Sequence, residues 1–489
     1  MRSHIPRRDV AASLVVFLVA LPLCAGVAVA SGVPAELGLI TGIVGGLVTG
    51  LLPGSSIQVS GPAAGLTVLV YEAVQTHGAA ALGALVLASG LLQLVLGALR
   101  LGRWFRAISV AVVEGMLAGI GLTIIAGQLY ALADTPAPGT GLGKLAGLPG
   151  LAGGIAASSG ALAALAVGAG TIAVLAGWRF LPGPVRAVPA PLAAVALATA
   201  AVAVLDAPVA RLRVSGLLDA VNPPGGTDLA RLAEAGALGT VVAFALIASA
   251  ESLFSAAAVD RMHHGPRTDY DRELMAQGAG NAVCGALGAL PMTAVIVRSA
   301  ANVQAGATTK ASRVLHGAWL LLFAALLPGV LELIPLAALA GVLVHAGWKL
   351  IPLRRLVPLW RRHRGEAVIL TGTAAAVVAL NLFEGVLLGL LLAIVKAAWE
   401  TSHVHIEIDD PGDGPVRAAL SGNATFLRLP RILDALEALP RDRPVELDLS
   451  GLRHLDHACR TALTAWADRH DPGGGASITV PDTLAPAAR

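Results

Sequence analysis

Long apolar runs, separated by short connections rich in charge, glycine or proline, fill the first 400 residues of the chain. A helix of about 20 apolar residues crosses a hydrocarbon core of ~30 Å. On that measure the pattern predicts fourteen segments. The first half offers Val10–Ala30, Leu37–Leu52, Pro62–Val74, Ala80–Leu99, Ile108–Ala131, Ser159–Ala176 and Pro191–Leu205. The second offers Leu238–Ala257, Leu274–Leu287, Met292–Val303, Val314–Leu331, Pro335–Leu350, Ala367–Leu382 and Val386–Trp399. The third and tenth are too short to cross as complete helices, and each begins at a Gly/Pro break. Interrupted segments at matching places in two halves point to a seven-plus-seven inverted repeat, with a binding site where the breaks meet.

Beyond Trp399 the pattern changes to a mixed polar one. It predicts strand, strand, helix, strand, helix, strand, with "VELDL" and "ASITV" as short strands. "LPRILDALEAL" and "ACRTALTAWADRH" carry the helical period. The expected division is a membrane domain over residues 1–400 and a small α/β domain over 403–489.

Composition agrees. Of 489 residues, 56% are hydrophobic and 13% charged, and the mean hydropathy is +0.75. Soluble chains carry about 25% charged residues. The basic start followed by an apolar run resembles a signal peptide, but that run is long enough to span and many more follow. The net charge of +3 says little, whereas the placement of Lys and Arg says more. Alternate loops are basic: Arg2/Arg7/Arg8, Arg100/Arg103/Arg106, Arg179/Arg186, Arg261/Arg267/Arg272, Lys310/Arg313 and "WKLIPLRRLVPLWRRHRGE". Basic loops face the cytoplasm, so an even number of spans puts both termini inside. The three cysteines have no metal or redox spacing, and no P-loop or nucleic-acid module occurs. No cofactor, metal or nucleic-acid partner is expected. His263-His264 reads as solvated rather than ligating, and the His454/His457/Cys459 group lacks a second ligand group at zinc spacing.

Candidate chemistry lies at the breaks. A half-helix that starts inside a membrane leaves its first N–H groups unpaired and carries roughly +0.5 charge there. Two such starts facing each other form an anion trap. Arg298, in "GALPMTAVIVRSAANVQAG", adds a fixed positive charge about two turns into the second short segment. Such a residue is costly in lipid, so it either faces a polar cavity or pairs with an acid such as Glu251. Glu251 is costly for the same reason: protonated, paired, or binding a cation. Ser252, Ser255, Thr293 and Ser299 lie nearby in sequence and are ambiguous. Pro22 is expected to kink the first span, leaving Ala25 and Gly26 open to a close neighbour.

The stretches "DVAASLVVFLVALPLCAGVAVASGVPAELGL", "GSSIQVSGPAAG", "SAESLFSAAAVDRM" and "ELMAQGAGNAVCGALGALPMTAVIVRSAANVQAGATTK" resemble the SulP family of inorganic anion transporters in order and spacing. The resemblance implies an α-helical polytopic fold of 14 transmembrane segments, divided into core and gate and moving in an elevator-like cycle. It implies a secondary active transporter of bicarbonate or sulfate in the plasma (inner) membrane, proton- or sodium-coupled or exchanging, and a homodimer. The positions that match the family's substrate region are Leu23, Val27, Gly61, Pro62, Ala63, Val297 and Arg298, with Glu251 at the coupling position. Leu23 and Val297 are apolar where relatives carry polar groups, and a sodium-holding hydroxyl has no counterpart near Val295–Ile296, which favours a proton or exchange. The tail resembles a STAS domain. Its loop reads Asp456-His457-Ala458-Cys459 where regulatory relatives carry a phosphorylatable serine, so no phospho-switch is expected there. The form of that loop resembles SulP members linked to carbonic anhydrases and tilts the substrate toward bicarbonate. Two other functions remain open: a nucleobase permease of the same fold, and a membrane-anchored regulator in which the STAS tail does the work.

Overall fold

The computed structural model describes residues 6–103, 109–138, 140–186, 188–213, 216–412, 414–440, 443–470 and 477–479. Arg2, Arg106 and both ends of the "ASITV" strand lie outside them. The chain divides into two compact units, Met1–Leu390 and Leu391–Arg489.

The first unit is helical. Setting aside short connecting helices, its elements are α1 (Arg7–Ala30), α2 (Ala35–Val44, continued by a π turn, Gly45–Thr49), β1 (Ser60–Pro62), α3 (Thr67–His77), α4 (Leu82–Ala98), α5 (Val110–Ala131), α6 (Ser159–Gly177) and α7 (Ala190–Leu205). Then come α8 (Ala235–Val259), α9 (Tyr270–Ala286), β2 (Met292–Ala294), α10 (Ile296–Gln304), α11 (Ala311–Leu326), α12 (Leu336–Leu350), α13 (Arg364–Ala379) and α14 (Leu382–Thr401), whose residues from Leu391 onward are assigned to the second unit. Seven helical stretches among the described residues are long and apolar enough to cross a membrane, one of them counted over Leu336–Arg362 across the break after Leu350, and three shorter apolar ones accompany them. The expected connection Leu132–Ser158 is not a bare loop. It holds two short helices, Gly141–Ala146 and Leu148–Ala157, the first capped by the Thr140 hydroxyl, which accepts the Gly143 N–H.

The helices pack in two groups. In one, α4 lies on α9 and α8, and α1 lies on α2 and α11. In the other, α5 lies on α12 and α13, and α6 lies on α7 and α12. Small residues set the spacing. Gly90 of α4 meets the backbone of α9 around Gly278 and Asn281, and Gly46 meets Gly317, with no room for a Cβ on either side. Close backbone approach of this kind drives association where lipid tails offer helices no hydrophobic gain.

The second unit contains β3 (Val404–Asp409), β4 (Val416–Ala424), α15 (Leu429–Glu437), β5 (Val445–Leu455), α16 (His457–His470) and β6 (Ser477–Thr479). The sheet order is β3-β4-β5-β6; the first pair is antiparallel and the other two are parallel. Alternate residues Val416, Ala418 and Leu420, with Val445, Leu447 and Leu449, form the core under Ile432, Leu436, Leu463 and Trp466. The order of elements is the one the pattern predicts. Asp456 caps α16: its carboxylate accepts the Cys459 N–H at 2.7 Å and the Phe426 N–H at 2.6 Å. Burial pushes that carboxyl up, but the amide donors prevail and hold it below the usual carboxylate range.

Candidate functional site

The two breaks meet as strands. Ser60, Gly61 and Pro62 pair antiparallel with Ala294, Thr293 and Met292. The register extends by one bond, the Val295 N–H donating to the Val59 carbonyl at 2.9 Å. Non-helical backbone at membrane depth persists only where its polar groups find partners inside the protein. Neighbouring helices supply them here. Asn281 Oδ1 accepts the Met292 N–H at 2.7 Å, Ser252 Oγ the Ala294 N–H at 3.2 Å, and Ser299 Oγ the Val59 N–H at 2.9 Å. Gln277 Nε2 donates to Ser60 Oγ at 2.7 Å, and Asn302 Nδ2 to the Ile57 carbonyl at 2.8 Å. Ser252 and Ser299, ambiguous in sequence, thus brace the crossing.

This pairing corrects the predicted helix starts. Pro62 and Met292 lie in strands, and helix begins later: a 3-10 turn over Ala64–Leu66 leads into α3, and α10 begins at Ile296. The extended pairing holds the residues before each start away from helical angles. Arg298 therefore sits in the first turn of α10, not two turns along it.

Among the described residues, the N–H groups of Ala63, Ala64 and Gly65 have no hydrogen-bond partner, and neither do those of Ile296, Val297 and Arg298. Arg298 is 1% exposed. Its Nη2 donates to the Pro62 carbonyl at 3.3 Å, while Nε and Nη1 have no partner. Nη1 occupies the space a Cβ on Gly61 would take, so glycine is what lets the guanidinium of one arm lie across the backbone of the other. Glu251 is placed alike. Its carboxylate stands where a Cβ on Gly65 would be, and its Oε2 is buried without a partner. Among the described residues no ion pair joins Glu251 to Arg298. Each charge is held separately against a glycine.

Both face a cavity of about 320 Å³ between the two helix groups. Leu23, Val27, Pro62, Val297, Arg298 and Glu251 line it. Gly61 and Ala63 do not; both are buried in the crossing. Ala64, Gly65, Phe254 and Ser255 add to the same wall. The opposite wall comes from Val113, Met116 and Leu117 of α5 and Val342, His345 and Lys349 of α12. His345 and Lys349 were missed by the sequence reading. An ionisable residue inside an apolar run was the signal for His345, and Lys349 was absorbed into the basic loop that follows it. The lining positions of α5, α6, α7 and α12 come from the ends of those helices that adjoin basic loops. A second cavity, of about 310 Å³, lies toward the opposite ends of α5 and α12 and touches Gly26 and Leu343. Val27 lines the first cavity and Gly26 the second, so close packing of Gly26 on Leu339 and Leu343 separates them. Among the described residues no group of His, Cys, Asp or Glu could hold a metal ion.

Residues 7–373 match the sulfate permease family. YvdB of Bacillus subtilis, provisionally named a sulfate transporter, is 27% identical over 417 residues, 83% of this chain and 76% of that protein. Bicarbonate transporter BicA of Picosynechococcus is 28% identical over 417 residues, 82% of this chain and 72% of the relative. The structure of the murine Solute Carrier 26 family member A9 anion transporter, in its inward-facing state, superposes with a TM-score of 0.76 at 15% identity. That superposition covers 98% of this chain and 85% of the other.

Proposed function

The chain belongs to the sulfate permease family, and on that premise we propose that it is a secondary active transporter carrying bicarbonate or sulfate across the membrane. Members of this family are transporters and not enzymes, and the chain is a multi-pass membrane protein. The observation that carries the proposal is the convergence of two helix starts and the buried Arg298 guanidinium on one cavity. Five unpartnered N–H groups on cavity-lining residues and a fixed cation can exchange an anion's hydration shell for preorganised donors.

Glu251 is the coupling group in this reading. An unpartnered carboxylate oxygen in the substrate cavity, not neutralised by Arg298, can take a proton when the anion enters and release it on the other side. The helix group bearing both charges moves as the core, and α5, α6, α7 and α12 form the gate, an elevator-like division supported by the cavity between them. The cavity adjoins the basic loops, the cytoplasmic side by the positive-inside rule, so this conformation faces inward. Helices α1–α14 are read as a seven-plus-seven repeat with α3 and α10 as its half-helices, and both termini as cytoplasmic in the plasma (inner) membrane. The second unit is read as a STAS domain on its strand order and its Asp456 loop. A homodimer follows from the family resemblance.

Uptake into proteoliposomes of labelled bicarbonate and sulfate, under imposed proton or sodium gradients, tests the proposal. Saturable uptake of one anion, accelerated by one gradient, is expected. Uptake of neither, or uptake of uracil in their place, would overturn it.

A further inference from the structure

The segment between α12 and α13 is not a simple loop. Ile351 is extended and Pro352 follows it, so α12 stops at Leu350. A separate helix then runs from Leu353 to Arg362, and His363, at φ −141° and ψ 72°, breaks the chain again before α13. Its apolar residues Leu353, Leu356, Val357 and Trp360 recur at one helical face. That face is open: Leu353, Val357 and Trp360 are 46, 58 and 49% exposed. Arg354 and Arg361 flank this face, Arg355 and Arg362 lie opposite it, and all four are exposed. Among the described residues Arg354, Arg361 and Arg362 have no ion-pair or hydrogen-bond partner, and no acidic residue lies between Glu332 and Glu366. Trp348, near the end of α12, is also exposed.

We infer that helix Leu353–Arg362 is a binding site for anionic phospholipid, lying in the bilayer interface with Leu353, Val357 and Trp360 in the acyl boundary and Arg354, Arg361 and Arg362 on headgroup phosphates. An exposed apolar stripe bordered by basic residues is the pattern of helices that lie in that interface, and a tryptophan at the boundary is the usual anchor. The position selects the occupant. The helix joins the ends of two apolar helices on the side of the molecule where the basic loops gather. The three unpaired guanidiniums of Arg354, Arg361 and Arg362 complement an anionic surface, and their long stems let the heads reach phosphate while the backbone stays at the boundary.

The site also reaches the anion cavity. Arg355 Nη1 donates to Glu114 Oε1 at 2.7 Å. Glu114 belongs to α5, beside the cavity-lining Val113. Lys349 and Leu350 of α12 line the same cavity immediately before the new helix begins. Bound lipid therefore anchors the α5–α12 wall to the membrane surface; this consequence rests on the transport reading, whereas the lipid site does not.

The test uses the full chain in vesicles of phosphatidylcholine with and without phosphatidylglycerol. Phosphatidylglycerol that stays bound through detergent extraction is measured by mass spectrometry for wild type, R354Q/R361Q/R362Q and R354K/R361K/R362K. The glutamine variant is expected to lose retention by about fivefold per arginine, and the lysine variant to keep most of it. Acyl chains brominated near the headgroup should quench the part of the tryptophan emission that W360F removes. Equal retention in the glutamine variant would overturn the inference. So would an unquenched Trp360, which would mean that a protein surface, from a second copy or another partner, covers this face. Loss of anion uptake with lipid retention intact would count against the proposed transport and leave this site standing.

Discussion

The two arms that meet in the membrane share a backbone and differ in what hangs from it. Each is three residues of strand followed by a helix start: Ser60–Pro62 before α3, and Met292–Ala294 before α10. The first arm carries almost no chemistry. Ala63, Ala64 and Gly65 offer N–H groups, and Gly61 and Gly65 leave space for neighbouring side chains. The second carries the guanidinium of Arg298 and the hydroxyl of Ser299 that braces Val59. The division is reciprocal. Arg298 fills the space left by Gly61, and Glu251 the space left by Gly65, so the bare arm is bare because the charges of its neighbours lie against it. The partial charges of two helix starts are matched, but one cation is enough for both because it sits where they converge.

Removing that cation should have the largest effect on the comparison. Arg298→Ala leaves two neutral starts, and uptake should fall by roughly 100-fold or more, the scale of losing one partner of a buried charge pair. Arg298→Lys keeps a point charge without the planar fork and should recover part of the loss. Initial rates in proteoliposomes decide this, and wild-type uptake in the alanine variant would reduce the site to the helix starts alone. Next comes the bare arm. Gly61→Ala drives a methyl into Arg298 Nη1, and the apparent KM should rise about tenfold, the scale of forced repacking. An unchanged KM would mean that the guanidinium is free to leave the crossing.

Glu251→Gln separates binding from coupling. Acceleration by an imposed proton gradient should disappear, while anion exchange measured with equal pH on both sides stays within about threefold, because Arg298 is not paired to this carboxylate. Gradient-driven uptake persisting in the variant would assign coupling elsewhere. The smallest effect belongs to the brace. Ser299→Ala leaves the Val59 N–H without its acceptor and should cost about 1–3 kcal/mol, read as a lower melting temperature in detergent, with Ser299→Thr restoring it.

Much of this architecture was legible one residue at a time. Apolar period, Gly/Pro breaks and the alternation of basic loops located the helices, the two short segments and the change of composition near Trp399, because burial in lipid or protein acts on each side chain by its own chemistry. Arg298 and Glu251 stood out for the same reason: an ionisable group in an apolar run is costly wherever the chain goes. The sequence by itself therefore determined which segments are membrane-like, which residues are costly, and that two interrupted segments exist.

Only the tertiary structure decided how these are used. The strand pairing of Ser60–Pro62 with Met292–Ala294 joins residues more than 200 positions apart, and three-residue strands carry no periodic signal. That pairing delayed both helix starts, moved Arg298 into the first turn of α10, and kept Gly61 and Ala63 out of the cavity wall. Arg298 and Glu251 are held apart without an ion pair between them, and the packing of α12 places its His345 and Lys349 on the same cavity. The physical reason is that a local pattern fixes what a residue costs to bury, whereas its partner is set by which backbones approach closely enough to meet, and glycines far apart in the chain control that approach.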